Sequence, residues 1–337
     1  MKRIATKGSR GFVLALAPLI ILALAGCHRG AEDAEGSTSS ASPAGSKAPS
    51  KSQGGSPRTE MRNVQLQALP GVVLEIRRLR GQLQPTRGND VAFFDDPTTF
   101  EIRIDSAEIA ASPKSLERLM NDVTFNYPKA PLKDLHITIE DGKVRQSGRM
   151  EKKIPIHFET LSEVSVTPEG KIRLHPVKIK ADGVPVKKLL DLLDIEMSEL
   201  IKTEASRGVT LDGDDILLDP ERLVPPPRIR GHLTEVRIEG DRIVQIFGGK
   251  GKDLSPPDPD ASNYMYYKGG MLRFGKLTMG GADLQIVDAD PGDPFYFYLK
   301  EYKKQLVAGY SQNTPSLGLI VHMPDYDQSG SRLKGPS

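Results

Sequence analysis

The chain has 337 residues, with 46 lysines and arginines against 44 aspartates and glutamates, for a formal net charge of +2. Four of those cations fall within the first ten residues, so the remainder carries −2. A chain so slightly acidic excludes nucleic acid as a partner, because that needs a concentrated basic surface.

The early cations are Lys2, Arg3, Lys7 and Arg10, and an uncharged run from Gly11 to Ala25 follows them. A positive start, a short apolar run and then small residues make a secretory signal. The run is about fifteen residues long, below the roughly 20 that a spanning helix needs. It ends Leu24-Ala25-Gly26-Cys27, which resembles the lipobox of bacterial lipoproteins. The resemblance implies cleavage between Gly26 and Cys27. It also implies a diacylglyceryl group on the Cys27 sulfur and an acyl chain, such as palmitate, on the new amine. The partner so implied is a membrane, reached through lipidated Cys27. No aspartate follows the cysteine, so the expected site is the outer membrane, facing the periplasm, in an organism with two membranes. Cys27 is also the sole cysteine, which rules out an intramolecular disulfide.

Residues 27–60 are rich in Ser, Gly, Ala and Pro and nearly free of apolar side chains. Such a segment cannot bury enough surface to offset its chain entropy, and it reads as a disordered tether. Residues 328–337 have a similar composition and read as a disordered tail.

Between 61 and 252 the pattern is alternation. Phe100, Ile102 and Ile104 alternate with Glu101, Arg103 and Asp105; Leu135, Ile137 and Ile139 with His136, Thr138 and Glu140; Ile154, Ile156 and Phe158 with Pro155 and His157; and Ile172 and Leu174 with Arg173 and His175. Period-two patterning marks strands with one buried and one wet face, as in antiparallel sheets. Asp141-Gly142, Pro168-Glu169-Gly170 and Glu239-Gly240-Asp241 mark the turns between them.

Two helices are expected within this region. The first, near 113–125, has Ser112 as N-cap, Pro113 at the first turn and Leu116, Leu119, Met120 and Val123 on one face. The second, near 185–202, is apolar over more than half its circumference, so a wrapping partner is expected. Residues 253–327 form an aromatic-rich extension opened by the loop Ser255–Asp260, with strands around 271–274 and 283–287 and a short helix over 296–308.

The order from Ser112 to Phe247 resembles the bacterial members of the tubular lipid-binding (TULIP) superfamily. The likeness lies in Leu116–Asn121, in Leu132–Val144, in Gly170–Leu174, and above all in Ala181-Asp182-Gly183-Val184-Pro185-Val186-Lys187-Lys188-Leu189-Leu190 opening an apolar helix. It implies an α+β fold in which a long curved antiparallel sheet wraps one or two helices and leaves a channel for acyl chains. It supplies no catalytic residue and does not extend to the aromatic segment.

No convergent set of catalytic groups is legible. The six histidines are scattered without metal-ligand spacing, no serine sits in G-x-S-x-G, and Gly248–Lys252 lacks the phosphate-loop frame. The acidic runs Asp212–Asp215 and Asp288–Asp293 could offer oxygens to calcium but do not match its loop pattern, and they read as solvated turns. No cofactor and no metal are implied.

The expected function is non-catalytic binding of a phospholipid or fatty-acyl ligand. Its lining is expected from Leu189, Leu193, Met197, Leu200, Ile137, Ile156 and Phe158. The alternative is a structural lipoprotein with a solid core that binds an envelope protein through its C-terminal segment. An envelope hydrolase using a carboxylate pair is a third possibility.

Overall fold

The computed structural model describes residues 55–86, 90–151, 155–182, 184–185, 207–249, 251, 253–333 and 335. The expected signal segment, Gly26 and Cys27, and the helix expected near 185–202 lie outside the described residues.

The first sheet holds twelve strands. From the N-terminal half come β1 (Arg58–Leu69), β2 (Val72–Pro85), β3 (Ala92–Phe93) and β4 (Phe100–Ala111). From the C-terminal half come β12 (Arg228–Arg230), β13 (Leu233–Glu239), β14 (Arg242–Phe247), β15 (Tyr264–Phe274), β16 (Leu277–Asp288), β17 (Phe295–Tyr298), β18 (Tyr310–Asn313) and β19 (Leu319–Met323). Their spatial order is β13-β14-β4-β2-β1-β15-β16-β19-β18, with β12 beside β4, β17 beside β1 and β3 beside β15.

The second sheet is antiparallel throughout. It contains β5 (Leu132–Glu140), β6 (Lys143–Met150), β7 (Ile156–Val166), β8 (Ile172–Ala181), β9 (Val184–Pro185), β10 (Val209–Asp212) and β11 (Asp215–Leu218). Their order is β10-β11-β8-β7-β6-β5, with β9 beside β8.

The structure corrects the expected fold class. The described chain is mostly strand, arranged as two large sheets, and not one TULIP-like curved sheet wrapped around helices. Helix among the described residues is short: α1 (Pro113–Leu119), continued by a wider turn at Met120–Thr124, then α2 (Pro220–Leu223) and α3 (Tyr302–Ala308). The physical reason is simple. A strand with one apolar face needs an apolar layer opposite it, and a second sheet supplies one as well as a helix does.

The aromatic segment is not an extension either. Residues Arg58–Arg62 of β1 pair antiparallel with β15, and Val64–Gln67 pair in parallel with β17. The change of partner falls at Asn63, whose φ of 51° lies in the left-handed region that asparagine tolerates. Its side-chain amide donates to Asn263 Oδ1 at 2.7 Å, which fixes the switch. Residues 296–298, expected to begin a helix, belong to the strand Phe295–Tyr298, and the helix starts at Tyr302. Four consecutive aromatics suit a pleated surface better than a helix turn. Phe94, Phe274, Phe297 and Tyr302 form one ring cluster with centroids 4.6 to 6.2 Å apart. That cluster is core.

The expected hairpins stand where the sequence places them. Asp141 and Gly142 both have positive φ, 50° and 69°, between β5 and β6, which gives the turn twist that flanking strands need.

Candidate functional site

An apolar cavity of about 170 Å³ lies between the two sheets. That is close to the roughly 150 Å³ of an engineered protein cavity that stays dry and binds benzene. Ile109 of β4 and Ile243 and Phe247 of β14 line it from the first sheet. Ile137, Val144, Phe158 and Leu174 line it from the second, and Leu116 and Leu119 of α1 complete one side.

The position of α1 follows from local chemistry. Ser112 Oγ caps the helix by accepting from Ser115 N at 3.2 Å, and Pro113 pre-sets the first turn. The helix packs on both β2 and β5, and so bridges the sheets. Two polar side chains tie it to β5, where the ladder with β6 is irregular and Asp134 has a φ of 53°. Asn121 takes both backbone groups of Leu135, donating to its carbonyl at 2.7 Å and accepting from its N–H at 2.9 Å. Glu117 accepts from Ile137 N at 3.4 Å, and its Oε2 lies 2.7 Å from His136 Nδ1. Burial pushes the Glu117 carboxyl up, but hydrogen bonds from Lys114, Ile137 N–H and His136 outweigh it and hold the carboxyl below the usual range. The apolar face of α1 is thereby held against the cavity.

Three of the seven expected lining residues, Ile137, Ile156 and Phe158, come together at this cavity. The other four, Leu189, Leu193, Met197 and Leu200, fall outside the described residues, as do Lys187 and Lys188.

Three polar lining residues escaped the sequence reading, namely Gln146 of β6, Thr160 of β7 and Gln245 of β14. The signal was present. Thr160 follows Ile156 and Phe158 at the same two-residue spacing, so it had to share their inward face.

Two further histidines have structural surroundings. His175 Nδ1 lies 2.7 Å from Asp215, which also receives Arg173, so the acidic run 212–215 ends in an ion pair with Arg173. His322 stacks on Tyr310 with ring centroids 4.6 Å apart.

The second acidic run does gather oxygens. Single carboxylate oxygens of Asp288, Asp293 and Asp325 lie within 4.8 Å of one another, and these three residues could hold a hard cation. Protein donors already use two of them. Asp288 receives Asn263 Nδ2 at 3.0 Å and Asp290 N at 2.9 Å, and Asp325 receives Tyr296 N at 2.6 Å.

Burial pushes the Asp288 carboxyl up to about 7; the Asn263 amide and Asp290 N–H recover part of that rise, and repulsion from Asp325 and Asp290 adds a smaller increment. Its folded value thus lies above the unfolded one, near 3.9. Between those values the folded state binds the extra proton, so this group's contribution to stability falls as pH rises from about 4 to 7. Asp288→Asn is expected to melt higher than the parent chain at pH 7.5 and level with it at pH 4.5. Thermal unfolding at the two pH values checks this, and an equal offset at both would contradict it.

No protein-family model matches the chain, and no curated protein or solved structure matches it.

Proposed function

We propose that this chain is a lipid-anchored lipoprotein of the bacterial cell envelope that binds an acyl chain between its two sheets and catalyses no reaction on it. The observation that carries the binding half is the cavity, about 170 Å³ in volume and walled almost wholly by aliphatic and aromatic side chains from both sheets. Interiors are normally packed to crystal density with few voids larger than water, so an apolar void of this size costs stability unless an occupant uses it. The anchoring half rests on the positive start, the apolar run and Leu24-Ala25-Gly26-Cys27. On this reading the anchor keeps an acyl-binding cleft within reach of a bilayer.

The test is to fill the cleft. Ile156 and Ile179 line it and are half-buried, so tryptophan at both would enter the void at an overpacking cost of about 1–3 kcal/mol each. The doubly substituted chain is expected to keep its circular dichroism spectrum and lose affinity for N-phenyl-1-naphthylamine by at least about tenfold, or 1.4 kcal/mol. Unchanged uptake by a folded variant would contradict the reading.

A further inference from the structure

The inward face of β7 is not uniformly apolar. Its positions Ile156, Phe158 and Val164 line the cavity as expected, but Thr160 lies among them. Thr160 is 7 % exposed, and its hydroxyl has no hydrogen-bond partner. At the next position on that face Ser162 is 0 % exposed, and its hydroxyl is also unpartnered. Across the sheet, Gln146 of β6 stands directly opposite Thr160 in the ladder and lines the same cavity. Side chains of such a pair start about 5 Å apart at Cβ.

The flanking partners are apolar, Ile137 beyond Gln146 and Ile179 beyond Thr160. A carboxamide and a hydroxyl therefore stand together in an apolar row. Valine has the shape of threonine and would carry no such cost, since a buried hydroxyl without a partner is destabilising. Among the described lining residues there is no lysine, arginine or histidine, and the one charged group is Asp214, exposed at the rim. Among the described residues an anionic headgroup would find no counter-charge in the lining and an aspartate nearby. A neutral oxygen function would meet only donors and acceptors of its own kind.

Resting on the acyl-binding reading above, we propose that the occupant is a neutral lipid, and that Thr160 and Gln146 hydrogen-bond its hydroxyl or ester oxygen inside the cavity. The pair confers selectivity for neutral over anionic ends of equal chain length.

Displacement of N-phenyl-1-naphthylamine by 1-decanol and by decanoate at pH 8 tests this on the full-length Cys27→Ser chain. Decanol is expected to displace the probe at a concentration at least about tenfold lower than decanoate, in line with the cost of burying an unpaired charge. Thr160→Val is expected to weaken decanol by roughly three- to tenfold, the worth of one hydrogen bond. Gln146→Leu is expected to act in the same direction and carries the test if Thr160→Val does not fold. Probe uptake with decanoate equal to decanol, or with decanol unaffected in a folded variant, overturns this inference alone. No probe uptake by the parent chain overturns the acyl-binding reading and this inference with it.

Discussion

Replacing Cys27 by serine is expected to abolish incorporation of palmitate into the chain. On the proposed lipoprotein reading a thiolate takes up the diacylglyceryl group that precedes N-acylation, and no second cysteine exists to substitute for it. The effect on location follows from the size of the anchor. Each buried methylene is worth about 0.8 kcal/mol, and one chain holds a protein at a membrane only reversibly. On the proposed reading Cys27 carries three chains, enough to hold the chain permanently, and the serine variant is expected to lose that hold. Metabolic labelling with an alkynyl palmitate, followed by mass analysis of the N-terminal peptide, reads this directly. The parent chain should be labelled and should begin at Cys27, and the variant should carry no label. Label retained in the variant, or a parent N-terminus elsewhere, would contradict the lipoprotein assignment.

Phe297→Ala is expected to destabilise the whole described body by about 3–5 kcal/mol, the usual cost of removing a buried phenylalanine ring. Phe297 is 0 % exposed and sits on β17, which is hydrogen-bonded in parallel to β1. Its ring lies 5.8 Å from that of Phe295 and 6.2 Å from that of Tyr302. Little of that space can collapse, because sheet backbone holds Phe295 and Phe297 while the helix that follows holds Tyr302. Since β17 borders the first strand of the chain, the loss should appear in one cooperative transition and not in a separate C-terminal one. Guanidinium unfolding followed by fluorescence and circular dichroism checks both points. A loss under about 1 kcal/mol, or two resolved transitions, would show residues 253–327 to be an appendage after all.

The contrast between those two residues marks what was legible in the sequence. Local chemistry read well. The alternation through Phe100–Ile104 and Leu135–Ile139, the left-handed Asp141-Gly142 turn and the Ser112-Pro113 cap all depend on neighbours a few residues away. Pairing across the chain did not. Nothing near Val64 announces that it will lie beside Phe295, and Asn63 looks like any polar residue until its φ is known.

The fold class failed for the same reason. Period-two patterning says which side chains face inward, but not whether a helix or a second sheet meets them. The apolar composition of 185–202 made a helix the obvious candidate, whereas among the described residues the strands β5 to β8 share a cavity with the first sheet. The cavity was half legible. Ile137, Ile156 and Phe158 followed from alternation, whereas Gln146 and Thr160 were passed over as polar residues although their positions point inward. Polarity at an inward position of a strand was the signal to follow.

Acyl binding is the central claim, and mass spectrometry of organic extracts tests it most directly. The full-length Cys27→Ser chain, purified without detergent, would be extracted beside the Ile156→Trp, Ile179→Trp variant in the same background. A neutral acyl lipid in near-equimolar amount from the first, and its absence from the second, is the predicted result. A clean extract from a folded parent chain that also takes up no N-phenyl-1-naphthylamine would contradict it.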